Sequence, residues 1–167
     1  MQLTLILHTL GNLVNRTIGM ANKYFNGVVE NKNISEEVDE ELKRQVLELK
    51  DKVEENIDKF KVADSLENII DVYRRCNKYI DETMPWVLAK DETKQERLST
   101  VLYNLIESIR QATVLLQAYL PETALKIFNQ LNTEYNTYDT LDKFGYYVSG
   151  TKVNSPEVLF KRIEKED

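Results

Sequence analysis

Residues 3–25 read LTLILHTLGNLVNRTIGMANKYF and are followed by the pair Asn26-Gly27. Apolar residues recur in this stretch every three or four positions, which is the period of an amphipathic helix. The Asn-Gly pair is a helix-stop signal. The stretch therefore predicts a first long helix with one apolar face, formed by Leu3, Ile6, Leu7, Leu10, Leu13, Val14, Ile18, Ala21 and Phe25.

Two further long helices are predicted before residue 86, because glycine and proline seldom interrupt the chain. Ser35 is a suitable N-cap for the second helix. The apolar stripe of that helix runs from Val38 to Phe60. The third helix spans about 62–83 and is broken by Pro85, which cannot continue a helical hydrogen-bond ladder.

A loop over residues 86–93 is expected to precede the fourth helix. The apolar stripe of that helix runs from Leu98 to Leu116. Pro121 lies near the start of a short fifth helix, where proline is well tolerated because the first N–H groups of a helix lack intrahelical partners.

From Asn132 onward the helical period disappears, although apolar residues remain too frequent for a free disordered end. We expect residues 132–167 to form an irregular tail along a groove of the bundle formed by residues 1–131, or against a neighbouring domain. The predicted fold class is all-α, an antiparallel bundle of about five helices with an irregular C-terminal tail.

The composition favours a globular chain of one domain. Of the 167 residues, 42% are hydrophobic and 30% are charged, and the net charge is −6. This acidity argues against non-specific binding to nucleic acids such as DNA, because such binding depends on lysine and arginine displacing counterions. No apolar run is long enough to span a bilayer, so we expect a cytoplasmic protein without a membrane partner.

Neither a metal site nor an active site is predicted. The single cysteine, Cys76, cannot form an intramolecular disulfide, and with the single histidine, His8, it cannot supply the four ligands of a structural zinc site. No phosphate-binding glycine-rich loop is present, and no nucleophile has a suitable histidine partner. Cys76 is therefore interpreted as a core residue, and no catalytic residue, metal ligand or cofactor is assigned.

Polar residues on the first helix form a candidate recognition surface. Asn12, Arg16, Gly19 and Lys23 recur at spacings of four, three and four, so they project from one stripe. An amide and a guanidinium one turn apart can bind the base edge and the backbone of one nucleotide, and Gly19 would allow another chain to approach closely. The alternative is an ordinary solvent-exposed face.

Two other features suggest nucleic-acid binding. Pro85 and Trp86 lie at the helix break, where a tryptophan can act as a platform for base stacking or close the end of the bundle. The cluster of Arg74, Arg75 and Lys78 on the third helix could contact phosphates or simply face solvent.

Several segments resemble the anticodon-binding domain of methionyl-tRNA synthetase, a class I aminoacyl-tRNA synthetase. The strongest are residues 10–16 (LGNLVNR), 21–27 (ANKYFNG) and 77–90 (NKYIDETMPWVLAK). The resemblance continues through residues 102–105, 120–124, 144–145, 150–153, 159–160 and 162–164. It therefore covers nearly the whole chain from Leu10 onward.

The resemblance implies that Asn12 and Arg16 contact the first anticodon base and that Trp86 stacks on it. Pro85 would orient Trp86, and Lys23, Arg74 and Arg75 are candidates for phosphate contacts. The implied partners are methionine tRNA, with the anticodon CAU, and the catalytic domain of a parent methionine-tRNA ligase.

The two catalytic signatures of that family, His-Ile-Gly-His and Lys-Met-Ser-Lys-Ser, do not occur in this sequence. The chain alone should therefore not activate methionine, and ATP and any zinc would be bound by the catalytic part.

The sequence departs from the family pattern at two places. The family usually has prolines on both sides of the Leu-Phe pair near the end, whereas this chain has Val158 and Lys161, and residues 3–9 depart from the usual polar opening.

Two alternative functions remain open at this stage. The excess negative charge is concentrated in the second predicted helix, between Glu36 and Phe60. This is typical of a solvated face, but together with the apolar tail it could form a helical protein-interaction module. The chain could also be the anticodon domain of another class I synthetase, although the residues around Trp86 favour methionine.

Overall fold

Helices form most of the computed structural model, which describes residues 3–160. Within that range the helices are α1 (Leu3–Phe25), α2 (Glu37–Asp58), α3 (Val62–Thr83), α4 (Pro85–Leu88), α5 (Gln95–Leu116) and α6 (Pro121–Leu131). Short strands β1 (Val28–Val29) and β2 (Thr151–Lys152) pair antiparallel. The predicted all-α fold class is therefore confirmed. Lys161 and the resemblance at residues 162–164 lie outside the described residues.

Helix α5 forms the centre of the bundle. It packs against α1, α2, α3 and α6, and every residue from Arg97 to Leu116 is buried. The polar side of α5 is therefore buried together with the predicted apolar stripe, because the segment after α6 covers it. None of the described helices is both long enough and apolar enough to cross a membrane.

The predicted ends of the second helix were wrong at both sides. Glu36, not Ser35, is the N-cap of α2, and its backbone N–H donates to the Asp39 carboxylate at 3.0 Å. At the other end α2 stops at Asp58, and Phe60 is 93% exposed rather than part of the buried stripe. Phe60 has a left-handed backbone (φ 58°), and this turn directs the chain into α3.

Asp39 also anchors the first turn of α2 to the middle of the bundle. Its carboxylate accepts hydrogen bonds from the Arg97 guanidinium at 2.5 and 2.9 Å and from the Tyr79 hydroxyl at 2.6 Å. Burial alone would raise the pKa of Asp39, but the bonds from Arg97 and Tyr79 outweigh it and hold that pKa below its usual value. The network joins α2, α3 and α5.

The segment predicted as a loop over residues 86–93 contains regular structure. Helix α4 occupies one turn after Pro85, and a 3-10 turn follows at Glu92–Lys94. Asp91 caps that turn by accepting the Thr93 N–H at 2.9 Å. The loop prediction was wrong because such short turns carry no periodic signal.

The chain after α6 lies against α5, and its contacts are concentrated at one carboxylate. Glu107 accepts the backbone N–H groups of Gly145, Tyr146 and Tyr147 at 3.0 to 3.2 Å. It also accepts two bonds from Arg110, at 2.7 and 2.8 Å. We call this set the tail clamp: Glu107, Arg110, Gln111 and residues 135–147.

The proposed division between a bundle of residues 1–131 and a tail of residues 132–167 stays a prediction.

Candidate nucleic-acid interface

Arg16 on α1 and Trp86 on α4 meet at the surface of the bundle. The guanidinium carbon of Arg16 lies 5.5 Å from the centroid of the Trp86 ring, within the range of a cation–π contact. Arg16 is exposed, and Trp86 is 38% exposed. The structure thus brings together two of the predicted site residues, with a guanidinium and an aromatic ring both accessible to a ligand.

Arg16 differs from the other arginines in residues 3–160. It is the one described arginine that forms no salt bridge with a carboxylate. The others each pair with an acid, and they are Arg44, Arg74, Arg75, Arg97 and Arg110. Its hydrogen-bond donors are therefore not occupied by a carboxylate of the described fold.

Asn12 lies one helical turn before Arg16 and is exposed. It lines a cleft of about 310 Å³ between α1 and residues 157–160, together with Asn15 and Phe160. Amide side chains both donate and accept hydrogen bonds, so they can pair with the edge of a nucleobase. Asn12 therefore adds a polar group on the same helix as Arg16.

The turn that carries Trp86 is shaped by its neighbours. Met84 has a left-handed backbone (φ 47°), an uncommon conformation for a residue with a side chain, and it precedes the buried Pro85. The Gln95 amide nitrogen lies 2.9 Å from the carbonyl oxygen of Asp91 and within 3.5 Å of those of Leu88 and Ala89. Gln95 therefore holds the C-terminal end of α4 against α5.

The roles of Met84 and Gln95 in shaping this turn were not predicted from the sequence. Pro85 was recognised because a proline interrupts the helical pattern locally. Gln95 instead acts through the packing of α5 beside α4, for which the sequence carries no periodic signal.

The three candidates for phosphate contacts, Lys23, Arg74 and Arg75, differ in whether a carboxylate already pairs with them. Lys23 is exposed, and its ammonium lies 5.5 Å from the centroid of the Tyr24 ring. Arg74 is paired with Glu67 at 2.5 Å and with Asp71 at 2.8 Å, and the buried Arg75 is paired with Glu82 at 2.9 Å. These carboxylates would compete with phosphates for the two arginines, whose role in RNA binding stays a prediction.

Cys76 is fully buried in the bundle, as its interpretation as a core residue requires. Burial raises the pKa of its thiol to about 12. Because the thiolate is the reactive form, Cys76 is poorly suited to act as a nucleophile at neutral pH.

Comparison with known proteins gives a consistent assignment. The sequence profile of the anticodon-binding domain of methionyl-tRNA ligase matches residues 29–167. The methionine–tRNA ligase of Clostridium acetobutylicum is 48% identical over 159 residues, which are 95% of this chain and 25% of that protein. That of Clostridium perfringens is 47% identical over 162 residues, covering 97% of this chain and 25% of that protein.

A solved structure shares the fold. The free-state crystal structure of Mycobacterium tuberculosis methionyl-tRNA synthetase superposes with a TM-score of 0.87 at 30% sequence identity, covering 95% of this chain and 32% of that chain. The chain thus spans about a quarter of the length of the curated relatives that it matches. Profile, sequence and fold agree, and the chain belongs to the family of methionyl-tRNA ligase anticodon-binding domains.

Proposed function

We propose that this chain recognises the CAU anticodon of methionine tRNA, with Trp86 as the stacking platform for the first base. Asn12 and Arg16 would bind the polar edge of that base or its adjoining backbone. The observation that carries the proposal is the contact between Arg16 and Trp86 on an exposed surface. In this arrangement one nucleotide can reach an aromatic face, a guanidinium and, one helical turn away, an amide.

Stacking and hydrogen bonding have separate roles in this proposal. An aromatic face accepts any base, because every base has a π-face, so Trp86 supplies affinity. Hydrogen-bond partners distinguish one base edge from another, so Asn12 and Arg16 supply the preference for cytosine. The catalytic chemistry of methionine ligation is proposed to belong to the remaining length of a parent ligase, which would bind ATP and pack against this domain.

The proposal is tested by titrating the chain with RNA hairpins that carry CAU or a substituted first base in the loop. The wild-type chain should prefer CAU. Trp86→Ala should weaken binding to every hairpin by about 1 to 3 kcal/mol, the usual worth of stacking one base. Asn12→Ala and Arg16→Ala should instead reduce the difference in affinity between cytosine and other first bases.

Circular dichroism and thermal melting establish that each variant is folded. Asn12 and Arg16 are exposed, so their replacement should leave the melting temperature close to that of the wild type. If all three folded variants keep the wild-type preference and affinity, the assignment of this site is wrong. A helical protein-interaction module would then be the better explanation of the surface.

A further inference from the structure

Gly19 lies in the interior of α1, where the fold does not require a glycine. Its backbone is not left-handed, and a Cβ built at this position would have no described atom within 4 Å apart from its chain neighbours and the nearby backbone of its own helix. Glycine weakens the interior of a helix because it loses more backbone freedom than alanine on folding. An alanine would therefore fit and would favour the helix, so packing within the described structure does not explain Gly19.

Gly11 and Gly27 differ from Gly19 in having other atoms within 4 Å of the place where a Cβ would be. Gly27 has φ +84° at the end of α1, and a Cβ there would lie 2.9 Å from the side-chain oxygen of Asn22. At Gly11 a Cβ would be 3.4 Å from the nearest carbon of the Phe160 ring, which is ordinary van der Waals contact. Gly19 alone of these three faces open space.

The neighbours of Gly19 on the helix surface are cationic. Arg16 lies three residues before it and Lys23 four residues after it, so all three share one face of α1. Both cations are exposed, and neither forms a salt bridge with a described carboxylate. A stretch of helix backbone without a side chain therefore lies between two cations that no carboxylate of residues 3–160 neutralises.

We infer that the sugar–phosphate backbone of the RNA crosses α1 at Gly19, with a phosphate directed toward Lys23. This inference rests on the proposed function, because it continues the path of a nucleotide stacked on Trp86. Without a side chain at residue 19 the RNA backbone can approach the helix closely enough for Lys23 to reach a phosphate while Arg16 reaches the nucleotide stacked on Trp86. Phosphate oxygens are acceptors that arginine and lysine bind well.

The inference predicts that stability and affinity change in opposite directions at this position. Gly19→Ala should raise the melting temperature, because alanine is the better helix former. The same variant should bind the CAU hairpin about threefold more weakly, and Gly19→Leu at least about tenfold more weakly, because the added atoms keep the RNA backbone away from the helix. Ala63→Leu adds a comparable side chain at an exposed position of α3 and should bind like the wild type.

Salt dependence gives a second readout. If Lys23 neutralises one phosphate, Lys23→Ala should reduce the slope of log affinity against log salt concentration by about 1, for CAU and substituted hairpins alike. Trp86→Ala should leave that slope unchanged, since stacking releases no counterion.

The results separate this inference from the proposed function. If the wild-type chain binds CAU hairpins and needs Trp86, but folded Gly19→Leu binds within about twofold of wild type, the RNA does not cross α1 at Gly19 and this inference alone is wrong. If the wild-type chain does not bind the hairpin, both fail. A loss with Gly19→Leu that Ala63→Leu does not share supports the crossing.

Discussion

The tail clamp and the α1–α4 face, which is formed by Asn12, Arg16 and Trp86, use arginine in opposite ways. In the tail clamp, Arg110 is fully buried and donates to the Glu107 carboxylate, to Thr140 and to the carbonyl oxygen of Tyr135. On the α1–α4 face, Arg16 is exposed. Within residues 3–160, the only polar or aromatic contact of its side chain is with the Trp86 ring. One arginine has its donors occupied within the protein, and the other keeps them available.

The difference shows how to separate residues that stabilise the fold from residues that bind a ligand. A buried charge is tolerated only when it is paired and hydrogen-bonded, because removing it from water is costly. An exposed arginine has no such need, because its charge stays hydrated, so the contact of Arg16 with Trp86 is not required to compensate a buried charge. We therefore expect changes in the tail clamp to affect folding and changes on the α1–α4 face to affect RNA affinity.

The largest effect is expected from Glu107→Ala. The substitution leaves Arg110 buried without its carboxylate and removes the acceptor for the N–H groups of Gly145, Tyr146 and Tyr147. Breaking a buried ion pair in this way should lower the free energy of unfolding by about 3 to 5 kcal/mol, measured by urea denaturation. The affinity of the folded variant for the CAU hairpin should stay near that of the wild type.

Glu48→Ala is the matched control for this experiment. Glu48 also pairs with basic side chains, Arg44 at 2.6 Å and Lys52 at 3.2 Å, but on the exposed surface of α2. Its removal should leave the urea midpoint almost unchanged, because exposed ion pairs contribute little. An equal loss in the two variants would show that burial at the tail clamp has no special role in stability.

A smaller effect is expected from pH through Asp39, another buried partner of an arginine. Because Arg97 and Tyr79 hold the pKa of Asp39 below its unfolded value, the ionised carboxylate stabilises the fold above that unfolded value, and this contribution is lost as pH falls through the folded pKa. The unfolding free energy should therefore decrease on acidification, with at most about 1.4 kcal/mol per pH unit from this proton.

Asp39→Asn removes the titrating group and should flatten that part of the pH profile, measured by urea denaturation between neutral and acid pH. Asp51→Asn, at an exposed position of the same helix, controls for the loss of one negative charge. Parallel profiles for the wild type and Asp39→Asn would assign the acid sensitivity to other groups.

The smallest effect is expected from Gln95→Met. Gln95 is part of neither the tail clamp nor the α1–α4 face, but it holds the helix that carries Trp86. Methionine keeps the length of the side chain but cannot donate to the carbonyl oxygens of Leu88, Ala89 and Asp91. The loss of about one hydrogen bond should loosen α4 and weaken hairpin binding by about fivefold or less. Since Trp86 is the only tryptophan in the chain, its fluorescence should become easier to quench with acrylamide even without RNA.

Gln45→Met provides the comparison for that variant. The Gln45 amide donates to Glu41 on α2, and its replacement should leave Trp86 quenching and RNA affinity unchanged. If Gln95→Met also leaves the quenching of Trp86 unchanged, Gln95 does not position the tryptophan.

Several parts of the molecule could be predicted from local sequence signals. The limits of α1 and α6 follow from helical periodicity, from the stop at Asn26-Gly27 and from Pro121 at a helix start. The spacing of Asn12, Arg16 and Lys23 put them on one face, because an α-helix has a fixed number of residues per turn. Each of these signals extends over only a few residues.

Other features depended on packing and could not be predicted in this way. Only the apolar stripe of α5 was predicted, yet Glu107, Arg110 and Gln111 are also buried, by a segment that begins more than twenty residues later. Ser35 appeared to be the N-cap of α2, but the Asp39 side chain, held by Arg97 of α5, selects Glu36 instead.

The sequence by itself determined which long segments are helical, which residues share the polar face of α1, and where a proline places the single tryptophan at a helix break. Only the tertiary structure decided that Arg16 lies over the Trp86 ring, that Gln95 supports α4, and which arginines are neutralised by carboxylates. The reason is physical: helical periodicity is encoded by neighbouring residues, whereas a contact between α1 and α4 exists only after α3 and α5 have packed and brought distant parts of the chain together.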